Sequence, residues 1–74
     1  MISITKSNGE IRIYVNTEGI IALKRYLSDL EDNKDTHFHL MTSAWGGYEL
    51  SGNTFVADEE TVNQVLIQRV PVET

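Results

Sequence analysis

An Asn-Gly dipeptide at positions 8 and 9 separates two runs of alternating apolar and polar residues, ISITK and IRIYV. An Asn-Gly pair between alternating runs is the strongest short-range indication of a β-hairpin with a two-residue turn. Such a turn fixes the register, so we predict that Ile4 lies opposite Ile13 and Ile2 opposite Val15. These side chains share one face, which we expect to be the buried one. The opposite face, predicted to be polar and solvated, carries Ser3, Thr5, Arg12 and Tyr14.

Residues 17–32, TEGIIALKRYLSDLED, follow with the spacing of an amphipathic helix. Thr17 or Asn16 can cap its first turn. The predicted buried stripe consists of Ile20, Leu23, Leu27 and Leu30, widened by Ile21 and Tyr26. We therefore expect truncation of Leu23 or Leu27 to alanine to cost about 2–5 kcal/mol.

Two further strands are predicted after the helix, at residues 36–41 and 61–70, with the second ending at Pro71. In the first of them, Phe38 and Leu40 should point towards the helix because side chains alternate along a strand. The inward side of the second cannot be assigned, since its centre is apolar on both faces. The acidic triplet at 58–60 is expected to cap a short turn ahead of it. The resulting fold class is α+β, a two-layer sandwich of order ββαββ with one helix on a small antiparallel sheet.

Length and composition exclude several classes of protein. The 74 residues predict a single domain spanning 1–74. Eleven acidic residues against six basic ones give a net charge of −5, which disfavours binding to a nucleic-acid backbone. The chain has no cysteine and no run long enough for a membrane span, and its first ten residues lack the basic start and apolar run that are typical of a signal peptide. We expect a cytoplasmic protein that acts without a cofactor.

The stretch 37-HFHLMTSAWGGYELS-51 is the part of the sequence richest in chemically distinctive residues. His37 and His39 are two positions apart on a predicted strand, so their imidazoles point the same way and could reach one metal ion. Glu49 is the nearest carboxylate that could serve as a third ligand. Such a histidine pair arises readily by chance in alternating strands, and we expect neither a metal site nor a catalytic residue here. A small metal-dependent or hydrolytic enzyme using these three residues remains the alternative.

The same stretch also has the residues of a protein-binding surface. Aromatic side chains are favoured anchors in interfaces. A sheet with one helix leaves its second face open to a partner, and a homodimer is a further alternative. The residues expected to contact a partner are Arg12, Tyr14, His37, His39, Trp45, Tyr48 and Glu49. We predict a structural role for Gly46, Gly47 and Leu50, because the two glycines reverse the chain so that Trp45 and Leu50 can pack back against the sheet. Whether Trp45 is a core residue or an interface anchor stays open at this point.

The run His37-x-His39-Leu40-Met41-Thr42-x-x-Trp45-Gly46-Gly47-x-Glu49-Leu50-Ser51 resembles the signature of a small bacterial family, immunity protein 32. The resemblance covers about fifteen of the 74 residues. It implies a cytoplasmic α+β protein that binds and blocks a cognate toxin domain of a polymorphic toxin system, without chemistry of its own. The motif positions it covers are His37, His39, Trp45, Gly46, Gly47, Glu49 and Leu50. A basic toxin domain would be attracted by the negative charge of this chain.

Overall fold

The computed structural model describes residues 1–70, and the predicted α+β fold is confirmed: one helix accompanies small antiparallel sheets. The elements are β1 (Ile2–Ser7), β2 (Glu10–Val15), α1 (Thr17–Glu31), β3 (His37–Met41), a 3-10 turn (Ser43–Trp45), β4 (Glu60–Thr61) and β5 (Gln64–Gln68). The predicted end of the last strand at Pro71 lies outside the described residues. Within residues 1–70, no helix has the length and apolar character needed to cross a membrane.

The hairpin has the predicted turn and register. Asn8 and Gly9 both have positive φ angles, 51° and 80°, as a two-residue hairpin turn requires. Ile4 pairs with Ile13, and the register continues to the end of β1. Ile4 is buried, whereas Ile13 is 60% exposed because β2 is the outer strand of its sheet.

The second face of the hairpin is not solvated, which corrects the prediction. Ser3 and Thr5 are fully buried there. Segment 52–59 returns to this face, where the ring of Phe55 lies 4.5 Å from that of Tyr14. The alternation of apolar and polar residues in the hairpin therefore does not separate a buried face from a solvated one. One face lies under the helix and the other under a loop.

Helix α1 begins as predicted, with the side chain of Asn16 accepting a hydrogen bond from the backbone N–H of Gly19. Its buried face is rotated from the predicted stripe. Leu30 is buried, and the partly buried residues that pack against the core are Ala22, Leu23 and Tyr26. Ile20, Ile21 and Leu27 are 47%, 63% and 53% exposed, so their predicted burial, and with it the large cost expected for Leu27, is wrong.

Gly19 explains this rotation. It is buried, and a Cβ placed on it would lie 2.1 Å from the carbonyl oxygen of Met1. The helix approaches the start of β1 so closely that only glycine fits at the contact. Since Gly19 faces inwards, the residues one and two turns later on the same side, Ala22 and Tyr26, face inwards too.

Two residues of the long loop join the two sheets. β1 pairs with β2 and β4, while β3 pairs with β5. Between them, Ser51 donates its N–H to the carbonyl of Ile2 at 2.7 Å, and Leu50 donates to the carbonyl of Met41 at 3.1 Å. Both contacts are parallel bridges, and the Leu50 side chain is buried in the core.

The last strand is divided where it passes from one sheet to the other. Val62 donates to the carbonyl of Ile4 at 2.8 Å, and Asn63 accepts from the backbone of Thr42 at 3.0 Å. Beyond this break, Val65 and Ile67 pack on the core, whereas Leu66 is 50% exposed. Phe38 and Leu40 face inwards on β3, as predicted.

Gly19→Ala should lower the free energy of unfolding by about 1–3 kcal/mol, because the new methyl group would overlap the backbone of Met1. The matched control is Gly52→Ala, since a Cβ at Gly52 meets nothing within 4 Å. Thermal melting by circular dichroism measures both variants. Equal melting temperatures for the two would show that the helix does not depend on this contact.

Leu30→Ala should cost about 2–5 kcal/mol because Leu30 is only 6% exposed. Leu27→Ala removes the same atoms from a side chain that is 53% exposed, and should cost less than about 1 kcal/mol. Urea denaturation of both variants tests the rotation of the helix. A larger loss for Leu27→Ala would restore the stripe predicted from the spacing.

Candidate functional site

The turn that carries Trp45 is held by its own backbone. The carbonyl of Thr42 accepts hydrogen bonds from the N–H groups of Trp45 and Gly47, both at 3.0 Å. Gly46 has a φ angle of 87°, a left-handed conformation that favours glycine. The Thr42 side chain is buried and donates to the Oδ1 of Asn63 at 2.7 Å, which anchors the turn to the last strand.

Gly47 serves this loop through its small size. A Cβ at this position would lie 2.5 Å from the Cβ of Met41. Beside it, the carboxylate of Glu49 accepts hydrogen bonds from the backbone N–H groups of Met41 at 3.1 Å and Tyr48 at 3.3 Å. Partial burial opposes ionisation of Glu49, but these hydrogen bonds outweigh it and lower its pKa. Glu49 is therefore engaged with the backbone of its own loop.

Trp45 is on the surface, which corrects the prediction that it packs back against the sheet. Its side chain is 57% exposed, whereas Leu50 is only 4% exposed. The physical reason is that Leu50 fills the core position beside Leu40, and the turn directs Trp45 the other way. The loop is therefore held by backbone hydrogen bonds and not by a buried indole.

A groove lies beside Trp45, and we call it the Trp45 groove. It has a volume of about 470 Å³ and is lined by Trp45, Leu66, Lys6 and residues 60–64. The ion pair between Lys6 and Glu60 at this groove is loose, with 3.8 Å between Nζ and Oε2. Both side chains are largely exposed, 55% and 73% respectively. The groove thus combines an exposed aromatic ring, an aliphatic side chain and a carboxylate that is open to solvent.

The two histidines point to the same side of β3, as the alternation predicts. Both are exposed, and their ring centroids lie 5.1 Å apart in an edge-to-face arrangement. His39 is directly opposite Leu66 on β5, so the pair adjoins the Trp45 groove. The carboxylate of Glu49 is held by the backbone of Met41. Residues 1–70 contain no group of three or more His, Cys, Asp or Glu side chains that could hold a metal ion.

Arg12 and Tyr14 are brought together by Glu59, a residue that sequence reasoning did not single out. The Glu59 side chain is fully buried and accepts hydrogen bonds from Arg12 Nη1 at 3.1 Å and from the Tyr14 hydroxyl. It also accepts from the backbone N–H groups of Phe55 at 2.8 Å and Val56 at 3.1 Å. The acidic triplet at 58–60, predicted to cap a turn, was the only indication in the sequence that Glu59 has a role. Nothing in the sequence indicated that Arg12 and Tyr14 would be its partners.

These contacts set the charge states around Glu59. Burial opposes its ionised form, but the hydrogen bonds from Tyr14, Phe55, Arg12 and Val56 outweigh it and lower the pKa to about 2. The same hydrogen bond from Tyr14 raises the pKa of that phenol. Hydrogen bonds to Glu10 and Glu59 raise the pKa of Arg12 above its usual value.

The seven residues predicted to contact a partner therefore do not form one cluster. Arg12 and Tyr14 are engaged with the returning loop, and Glu49 is engaged with backbone. The histidines lie beside the Trp45 groove, and Tyr48, 88% exposed, is not among the residues that line it. The face opposite the helix is thus covered over the hairpin and open around β3 and β5.

The fold and the site define a small α+β protein with an exposed tryptophan groove. No protein family, no curated protein and no solved structure matches this chain.

Glu59 should make stability depend on pH in the acid range. Its folded-state pKa of about 2 lies below the ordinary value of 4.5, so its contribution is present above pH 4.5. That contribution is lost as the pH falls towards 2, because protonation removes the carboxylate that four donors bind. We expect Glu59→Gln to lower the melting temperature at pH 7 and to flatten its dependence between about pH 4.5 and 2.

Glu60→Gln is the control, since it removes the same charge from a side chain that is 73% exposed. It should keep the acid dependence of the parent protein. An unchanged pH profile in Glu59→Gln would contradict the role given to the buried carboxylate.

Proposed function

We propose that this chain is an immunity protein that neutralises a cognate bacterial toxin by binding it directly, without catalysis. The observation that carries the proposal is the exposure of Trp45, the single tryptophan of the chain, at 57% beside an open groove. Tryptophan is among the residues most enriched at the energetic centre of protein interfaces. A large ring held outside the core of so small a protein is well placed to contact another molecule.

The order of the Trp45 turn supports binding. Thr42 fixes the turn through two backbone hydrogen bonds and through its own buried hydroxyl. A loop that is already ordered loses little conformational entropy when a partner binds. The net charge of −5 favours encounter with a basic partner, as expected for a toxin domain that acts on nucleic acid. The resemblance of residues 37–51 to the immunity protein 32 motif points in the same direction.

The enzyme alternative receives less support from the geometry. It requires His37, His39 and Glu49 to converge on one reacting atom or ion. The carboxylate of Glu49 accepts two backbone hydrogen bonds instead, from Met41 and Tyr48. One of its oxygens, Oε1, is thus already engaged in holding the loop.

Self-association is a second candidate, favoured by the position of β2. This strand is at the edge of its sheet, and its residues Ile11 and Ile13 are each 60% exposed. An edge strand with apolar side chains can pair with a second copy of the same strand. Light scattering over a dilution series tests this candidate, since a constant monomeric mass at all concentrations would eliminate it.

Co-expression with candidate toxin domains, taken from the genes on either side of the one that encodes this chain, tests the proposal in bacterial cells. The parent chain should restore growth, and Trp45→Ala should reduce protection. With the purified toxin domain, we expect Trp45→Ala to weaken binding by about 2 kcal/mol or more, roughly thirtyfold, with little change in melting temperature.

Ile21→Ala is the matched control because Ile21 is similarly exposed, at 63%, on the outer side of α1. It should protect as well as the parent chain. Full protection by a folded Trp45→Ala variant would count against the Trp45 groove as the binding surface. If the parent chain blocks none of the toxins tested, the proposed function is wrong.

A further inference from the structure

We infer that the Trp45 groove accepts an arginine side chain of a basic protein partner, with the guanidinium stacked on Trp45 and paired with Glu60. The inference rests on the proposed function and names the partner chemistry that the site recognises. Trp45 and Glu60 line the same groove, and both side chains are more than half exposed. The chain is acidic, so a cationic group is the complementary ligand.

Glu60 is the carboxylate in this region that is available to a partner. Its neighbour Glu59 is fully buried and accepts four hydrogen bonds, and Glu49 accepts two from the backbone. Glu60 is paired with Lys6 at 3.8 Å, which is longer than a hydrogen bond. An incoming guanidinium can displace this lysine because the exposed pair contributes little to stability.

The aromatic wall distinguishes arginine from other cations. Tryptophan is the best partner for cation–π contacts, and the planar, weakly hydrated guanidinium stacks on it more readily than an ammonium group. Leu66, 50% exposed in the same groove, can cover the aliphatic part of the side chain. The volume of about 470 Å³ falls in the range of small-ligand sites.

The polar wall can take up the remaining donors of the ligand. A guanidinium presents five N–H groups, of which a carboxylate accepts two in a parallel pair. Gln64 lines the groove and is exposed, so its amide oxygen is a further acceptor within the same site. Residues 61–63 also line the groove.

Titration with N-acetyl-arginine amide tests the inference, with N-acetyl-citrulline amide as the neutral ligand of nearly the same shape. Trp45 is the only tryptophan, so its fluorescence reports on the groove directly. We expect the arginine compound to give saturable fluorescence changes and saturable amide NMR shifts at residues 45 and 60–66. The citrulline compound should bind at least about twofold more weakly, because it lacks the charge that pairs with Glu60.

Three variants sharpen the test. Glu60→Gln should weaken binding of the arginine compound by about twofold to fivefold, whereas Glu18→Gln, an equal change of charge on α1, should not. Lys6→Ala should strengthen binding by about twofold, since it removes the competing cation. Equal binding of both compounds, or equal binding by Glu60→Gln and Glu18→Gln, would overturn the inference.

The outcome is separable from that of the proposed function. If the chain protects cells from a toxin but the groove does not distinguish arginine from citrulline, this inference fails and the function stands. If the groove selects arginine but the chain blocks no toxin, the function fails and the arginine site stands.

Discussion

The junction between the two short sheets is the constraint on which the other features depend. Leu50 and Ser51 occupy it, with one backbone hydrogen bond to β3 and one to β1. For Leu50 to enter the core, the chain must leave β3 and return to it within eight residues. Gly46 supplies the left-handed turn and Gly47 the close approach to Met41 that this path requires. The exposure of Trp45 is a consequence of the same path, because the turn that brings Leu50 inwards carries the tryptophan outwards.

Local patterns predicted the parts of the fold that local physics decides. The Asn-Gly turn fixed the hairpin register, and alternation along β3 placed Phe38 and Leu40 in the core. The pattern of apolar residues predicted the helix correctly, but it did not predict which face of the helix is buried. Its apolar residues cover more than half of its circumference, so their spacing alone admits several orientations. The orientation is decided by Gly19 against Met1, a tertiary contact that no periodicity contains.

The covered face of the hairpin was missed for a similar reason. Ser3 and Thr5 are polar and alternate with isoleucines, which normally indicates solvent. They are buried in the central strand of their sheet, on the face where Tyr14 contacts Phe55 and Glu59, residues more than 40 positions later in the chain. The candidate site shows the same division. Sequence identified Trp45, the glycines and Glu49 as a unit, but it did not decide which of the two apolar side chains, Trp45 or Leu50, enters the core.

Glu59 and Glu60 are adjacent in the chain, but their carboxylates have different surroundings. This difference shows which of the negative charges of this acidic chain are available to another molecule. Glu59 turns inwards, where four donors stabilise its negative charge and close the loop over the hairpin. Glu60 begins β4 and is exposed at the edge of the Trp45 groove, where its partner Lys6 is only loosely held. A net charge of −5 by itself says little about recognition, because many soluble proteins carry as much. Burial divides these charges into those satisfied within the fold and those left for another molecule. Since Glu60 belongs to the second kind and shares its groove with the exposed tryptophan, we place the proposed recognition of a basic partner at this point on the surface.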